Sequence, residues 1–168
     1  MKRSLFHRVY TQFFRHREVL IQPEQEEQFG YRFVDFDTLL KESDIFTIHC
    51  PLNEETRGMI GAAQFAKMKP TAMLINTARG PIVEEAALVD ALTTGKIATA
   101  GLDTYEHEPL PKDHFLWETK NLLITPHVAG NMSLGYTCDK DVEMFCEDLD
   151  NFAAGRPLLH LVDRKRGY

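Results

Sequence analysis

From Glu18 onward the chain alternates short apolar runs with helix-forming stretches, and that alternation leaves few folds open to it. The runs are Val19-Leu20-Ile21, Ile45-Phe46-Thr47-Ile48, Ala72-Met73-Leu74-Ile75, Ala98 to Leu102 and Leu122-Leu123-Ile124. Their length and composition predict buried parallel strands. Between them, Phe36 to Lys41, Gly61 to Met68 and Glu84 to Leu92 predict helices, the last stopped by Gly95. Strand and helix in alternation give an α/β fold, a parallel sheet flanked by helices.

The two ends read differently. Leu5, Phe6, Val9, Tyr10, Phe13 and Phe14 recur at helical spacing behind Ser4, which predicts an amphipathic helix over residues 5 to 15. Cys138, Val142, Phe145, Cys146, Leu149, Phe152 and Ala153 follow a helical period that Gly155 and Pro157 end, with the acids of this stretch on the solvent face. The expected organisation is therefore an amino-terminal helix at 1–17, an α/β domain at 18–137, and a closing helix and tail at 138–168. Pro109 and Pro111 open a loop running to Asn121, long for a strand connection and hence a candidate functional loop.

Composition removes several functions. The 168 residues are 43% hydrophobic and 26% charged, enough for a single buried core. No apolar run approaches the ~18 residues of a membrane span, and no leader pattern opens the chain, so a cytoplasmic location is expected. A net charge of −6 argues against nucleic-acid binding, which needs clustered cations. The charge is uneven: Lys2, Arg3, Arg8, Arg15 and Arg17 stand near the start, and six acids lie between Asp139 and Asp150. Two solvated helix faces account for this, as would a basic amphipathic helix resting on a membrane or a partner. Cys50, Cys138 and Cys146 form no CxxC and read as reduced, buried thiols. His49, His107, His114 and His160 have no metal-ligand spacing, so no metal site is expected.

Three polar elements follow predicted strands, the places where open parallel sheets bind ligands. These are Asn76-Thr77-Ala78-Arg79-Gly80, the stretch Asp103 to Pro109, and Thr125-Pro126-His127 leading to Gly130. Arg79 offers a permanent cation with a planar fork suited to a carboxylate, and Gly80 permits close backbone approach. A histidine such as His127 would supply a proton, and a carboxylate such as Glu108 would stabilise its imidazolium. Arg, Glu and His suit proton transfer beside a carboxylate-bearing substrate. Singly, each has an ordinary alternative: an ion pair for Arg79, a solvated acid for Glu108 and a structural histidine for His127.

The run from His49-Cys50-Pro51 to Gly58-Met59-Ile60, then Asn76 to Gly80, then Gly101-Leu102-Asp103 through Glu108-Pro109, then Thr125-Pro126-His127, resembles the D-isomer-specific 2-hydroxyacid dehydrogenases. The resemblance covers Val19 to Gly155 and corresponds to the carboxyl-terminal half of a family member. It implies a partial Rossmann-like NAD-binding domain over 18–137 and hydride transfer between NAD(H) and a 2-hydroxy or 2-keto acid. By the same resemblance Arg79, Glu108 and His127 are catalytic: Arg79 binds the substrate carboxylate, His127 donates the proton to the carbonyl oxygen, and Glu108 keeps His127 protonated. Asp103 would accept from the nicotinamide carboxamide, and Cys50, Pro51, Thr77, Ala78 and Gly130 would line the cofactor with Arg79 and His127. Trp117 and Tyr105 are candidate lining residues of the substrate side-chain pocket, with burial in the core as the ordinary alternative.

Departures from the family pattern are equally specific. The sequence has no glycine before Gly30, so the glycine-rich phosphate loop and the first strand that precedes it are not matched, and Gln22 stands where an acid is expected. Truncation is one reading of this, and a non-catalytic remnant or interaction module of the same fold is the alternative to an enzyme. Without the first strand, Val19 to Ile21 is expected to move in beside Ile45 to Ile48 and the chain to self-associate as a homo-oligomer. The other two outcomes are re-pairing of the amino-terminal segment or cover by a second copy alone.

Overall fold

The computed structural model describes residues 12–14, 32–130 and 135–162, with Gln12–Phe14, Arg32 and Phe33 given by their backbone. It divides into two compact units, one ending at Pro126 and the other beginning at His127.

In the first unit, β1 (Gln12–Phe14) and β2 (Arg32–Val34) pair in parallel, with Phe13 opposite Phe33. This corrects the predicted helix over residues 5 to 15, at least where it covers 12–14. Consecutive aromatic residues suit a strand, and β2 offers a ladder that a helix would forgo. The strand predicted at Val19 to Ile21 lies outside the described residues. β2 itself was not anticipated, although Tyr31 to Val34 is rich in aromatic and β-branched residues.

Helix α1 (Phe36–Glu42) starts at Asp35, whose carboxylate accepts from the Thr38 amide at 2.9 Å and the Thr38 hydroxyl at 2.7 Å. Those bonds, the hydroxyl's foremost, hold the Asp35 carboxyl below its ordinary pKa. The chain then lays down β3 (Ile45–Ile48), helix α2 (Ala62–Phe65), β4 (Met73–Asn76), helix α3 (Glu85–Thr93), β5 (Thr99–Leu102) and β6 (Leu122–Ile124). The last four strands form one parallel sheet in the order β3-β4-β5-β6. Helix α3 ends as expected: Gly95 takes φ +70°, Lys96 donates to the Ala91 carbonyl, and Gly95 to that of Leu92.

One face of the sheet is the core. Phe46, Ile48, Leu74, Ala100 and Leu102 cluster with Leu39 and Leu40 of α1, Phe65 of α2, and Leu88, Ala91 and Leu92 of α3. The alternate rows carry Ile45, Met73 and Leu123, all exposed, Leu123 by 67%. Strands buried on both faces were expected, but the burial alternates as it does where one side is left open.

The second unit is built on helix α4 (Gly135–Ala153). It closes as the sequence predicts: Gly155 has φ +66° and donates to Phe152, while Arg156 donates to the Asn151 carbonyl at 2.8 Å. The tail folds back because Asp148 accepts from the amides of Leu159 (2.7 Å) and His160 (3.1 Å). Val142, Phe145, Leu149 and Phe152, the apolar stripe, are exposed, and Cys146 on the same stripe is exposed rather than buried as expected, with Cys50 and Cys138 only half-buried. Among the described residues of this unit, one helix and a short tail offer no second layer for the stripe. Among the described residues no helix is long and apolar enough to cross a membrane.

Candidate functional site

The carboxyl ends of β4, β5 and β6 are tied into one polar edge. Asp103 donates its amide to the Asn76 carbonyl (3.0 Å) and Thr125 donates its own to Leu102 (3.0 Å), which extends the ladders one residue past the strands. The Thr125 hydroxyl then donates to Asp103 Oδ1 at 2.5 Å. Asp103 is buried, and that hydroxyl is one of the groups that let a carboxylate stay there.

The turn after β4 is stapled by Asn76, a fully buried side chain. Its Nδ2 donates to the Arg79 carbonyl at 3.0 Å and its Oδ1 accepts from the Ala78 amide at 3.1 Å. Ala78 is buried and Thr77 half-buried, while Arg79 is exposed with its guanidinium donating to the Ala78 carbonyl at 2.7 Å. A tight turn over Gly80–Ile82 follows. A Cβ on Gly80 would lie 1.9 Å from the Tyr105 carbonyl carbon, so this glycine is what lets the turns after β4 and β5 meet. The close approach expected of Gly80 is to the protein's own backbone.

The turn after β5 carries Glu108, whose Oε1 accepts from the Tyr105 amide at 3.0 Å. Glu108 is exposed. Tyr105 is buried, and its hydroxyl lies 2.5 Å from the Thr125 carbonyl and 3.1 Å from that of Leu102. Burial raises the pKa of the Tyr105 phenol, with Asp103, Glu108 and Glu85 adding to the effect. Tyr105 is therefore a brace between β5 and β6. Trp117 is exposed, its indole N–H donating to Pro111 at 2.8 Å within the long loop. That loop is anchored by Leu116, which is fully buried. Thr104, 1% exposed, points a hydroxyl with no hydrogen-bond partner among the described residues.

The turn after β3 holds Cys50 and Pro51. The Thr56 hydroxyl donates to the Pro51 carbonyl at 2.7 Å, and Asn53 Oδ1 accepts from the amides of Glu55 and Thr56. Half-burial raises the Cys50 thiol pKa. Thr56, itself buried, was not singled out from the sequence, because a threonine inside a polar run reads as solvated loop.

His127 begins the second unit, exposed, with φ +54°. A left-handed backbone at a non-glycine residue costs about 1 kcal/mol or more and concentrates at functional sites. Gly130 is exposed too, and a Cβ there would meet nothing within 4 Å. Three other histidines have partners: His49 with Thr47, His114 with Glu85 and His160 with Asp148.

Comparison with known proteins places these residues in context. Residues 9–129 match the sequence family described as the D-isomer specific 2-hydroxyacid dehydrogenase, NAD binding domain. The chain is 44% identical over 144 residues to the D-3-phosphoglycerate dehydrogenase of Archaeoglobus fulgidus, covering 85% of this chain and 27% of that protein. It is 51% identical over 108 residues to glyoxylate/hydroxypyruvate reductase B of Klebsiella pneumoniae, covering 64% of this chain and 33% of that one. In structure it is similar to D-lactate dehydrogenase with NAD+ from Lactobacillus jensenii, at TM-score 0.73 and 38% identity, over 88% of this chain and 47% of the other. The chain thus spans less than half the length of each of these proteins.

Proposed function

Because the chain belongs to the D-isomer-specific 2-hydroxyacid dehydrogenases through their NAD-binding domain, we propose that it serves the nicotinamide end of a reversible hydride transfer between NAD(H) and a 2-hydroxy or 2-keto acid. The observation that supports this most is the tied polar edge, where Asn76, Asp103 and Thr125 converge at the carboxyl ends of three parallel strands. Thr104 adds a buried hydroxyl with no hydrogen-bond partner among the described residues, the kind of group a carboxamide can satisfy. These residues fit the nicotinamide.

In this reading Asp103, Thr77, Ala78, Cys50, Pro51 and Gly130 hold the dinucleotide, which when bound supplies or accepts the hydride. Arg79 binds the substrate carboxylate through its guanidinium and draws electron density from the neighbouring carbonyl oxygen. His127 delivers a proton to that oxygen in the reducing direction and removes it in the oxidising one. Glu108 stabilises the protonated imidazole. NAD rather than NADP, a cytoplasmic location and a homo-oligomeric assembly belong to the same proposal.

Titration of the chain with NADH, followed by nicotinamide fluorescence, tests it. The expected Kd lies in the range of roughly 0.1 to 1 mM, and weaker for NADPH. No saturable binding below about 10 mM would favour the alternative reading, a non-catalytic module of the same fold.

A further inference from the structure

We propose that Glu85 is a positioning residue that sets the turn carrying Glu108; its functional meaning rests on the reading above. Glu85 opens α3 and is only 8% exposed, while Glu84, Glu106 and Glu108 nearby are all exposed. Its two carboxylate oxygens serve two different segments. Oε1 accepts from the Glu106 amide at 2.9 Å, and Oε2 lies 3.5 Å from His114 Nε2. His114 is 15% exposed, and its Nδ1 accepts from the Leu116 amide, which places the ring proton on Nε2, facing Glu85.

Glu106 and His114 lie on either side of Glu108, so one side chain from a helix pins the loop at both ends of the stretch that bears the proposed acid. The restraint is direct. Glu108 caps the Tyr105 amide and Glu85 caps the next one, that of Glu106. The same backbone is held from below by Gly80, whose missing Cβ leaves room for Tyr105 and for the Glu106 nitrogen. The position of Glu85 in the first turn of α3 makes a buried carboxylate tolerable, since the helix presents its positive end there. Glu85 thus acts through the Glu106 backbone and the His114 ring.

The test compares Glu85→Ala and Glu85→Gln in the full chain by amide hydrogen exchange, with Leu74 and Ala100 as core references. Glu85→Ala is expected to speed exchange at Glu106 by ~10-fold or more while Leu74 and Ala100 stay unchanged. Equal acceleration of the core amides, or no change at Glu106, would overturn the proposal. Should that variant fail to fold, Glu85→Gln decides: it keeps an acceptor for Glu106 and changes what faces His114. The Glu106 amide should hold its place and the His114 ring resonances should move; movement of Leu74, or of neither probe, refutes the clamp. Where the wild-type chain reduces a 2-keto acid, Glu85→Ala should lower kcat ~10-fold with the KM for NADH unchanged, and Glu85→Gln should restore part of it. An unchanged kcat beside a loosened Glu106 would leave Glu85 structural only. Absence of wild-type turnover would count against the proposed activity and leave the exchange result to judge the clamp.

Discussion

The backbone of Tyr105 occupies the space a side chain on Gly80 would need: an added Cβ would stand 1.9 Å from the Tyr105 carbonyl carbon and 2.0 Å from its oxygen. Neither is the far end of a flexible side chain, so one of the two turns must move. Gly80→Ala is expected to destabilise the chain by about 3 kcal/mol, read as a lowered urea midpoint. Gly101→Ala, in β5 with nothing within 4 Å of the new methyl, should stay within about 0.5 kcal/mol of the parent. Equal midpoints for the two variants would contradict the crowding argument.

Tyr105→Phe should cost about 1 to 2 kcal/mol, because the Thr125 and Leu102 carbonyls lose a buried donor. The pH dependence has a definite sign. Burial raises the folded pKa of this phenol above its ordinary value of 10.0, so between the unfolded and folded values the unfolded chain binds fewer protons. The Tyr105 contribution is therefore complete below pH 10 and is lost as pH rises through the folded pKa. Chemical denaturation from pH 8 upward should show a decline above about pH 10 that Tyr105→Phe reduces.

At the other end, the Asp148 carboxyl sits below its ordinary 3.8, chiefly because the Leu159 amide donates to it. A depressed acid stabilises above its unfolded pKa and loses that contribution as pH falls through the folded one. The tail should therefore detach from α4 in acid. Asp148→Asn should shift the Leu159 amide resonance at neutral pH and remove its acid titration; an unmoved resonance would refute the tether.

In any preparation of this chain that turns over a 2-keto acid, His127→Ala should lower kcat by ~100-fold or more. Arg79→Ala should raise the KM for the acid as well. Near-normal turnover in the His127 variant would remove it from the chemistry. Adding His127→Gly separates side chain from backbone, since at φ +54° glycine relaxes the main chain while also lacking the imidazole.

Sequence periodicity located most of the sheet and some of its boundaries. Ile45–Ile48 and Leu122–Ile124 form strands where their apolar runs place them. The run at Ala72 to Ile75 is displaced by one, to Met73–Asn76, because Asn76 pairs with Ile48 and Leu102 despite its polarity. The helix predicted from Gly61 to Met68 shortens to Ala62–Phe65, since Lys67 and Met68 bond to carbonyls three residues back and tighten the last turn. At the candidate site, residue types at strand ends were legible but their partners were not. Glu85 sits in a predicted helix, where an acid reads as solvent-facing, and only the folded loop brings Glu106 and His114 to it. From the sequence Tyr105 is a candidate pocket wall, whereas in the fold its hydroxyl lies on two backbone carbonyls.

The four-strand order has a consequence in time. Every amide of β4 and β5 lies between two hydrogen-bonded neighbours, whereas among the described residues β3 and β6 each have one. Amides on the outward edges of those two strands can exchange through small local openings, while those of the middle pair wait for larger ones. A deuterium pulse should therefore label the sheet from its margins inward. Asn76 and Asp103, which anchor the turns bearing Arg79 and Glu108, stand at the ends of the two strands that open last.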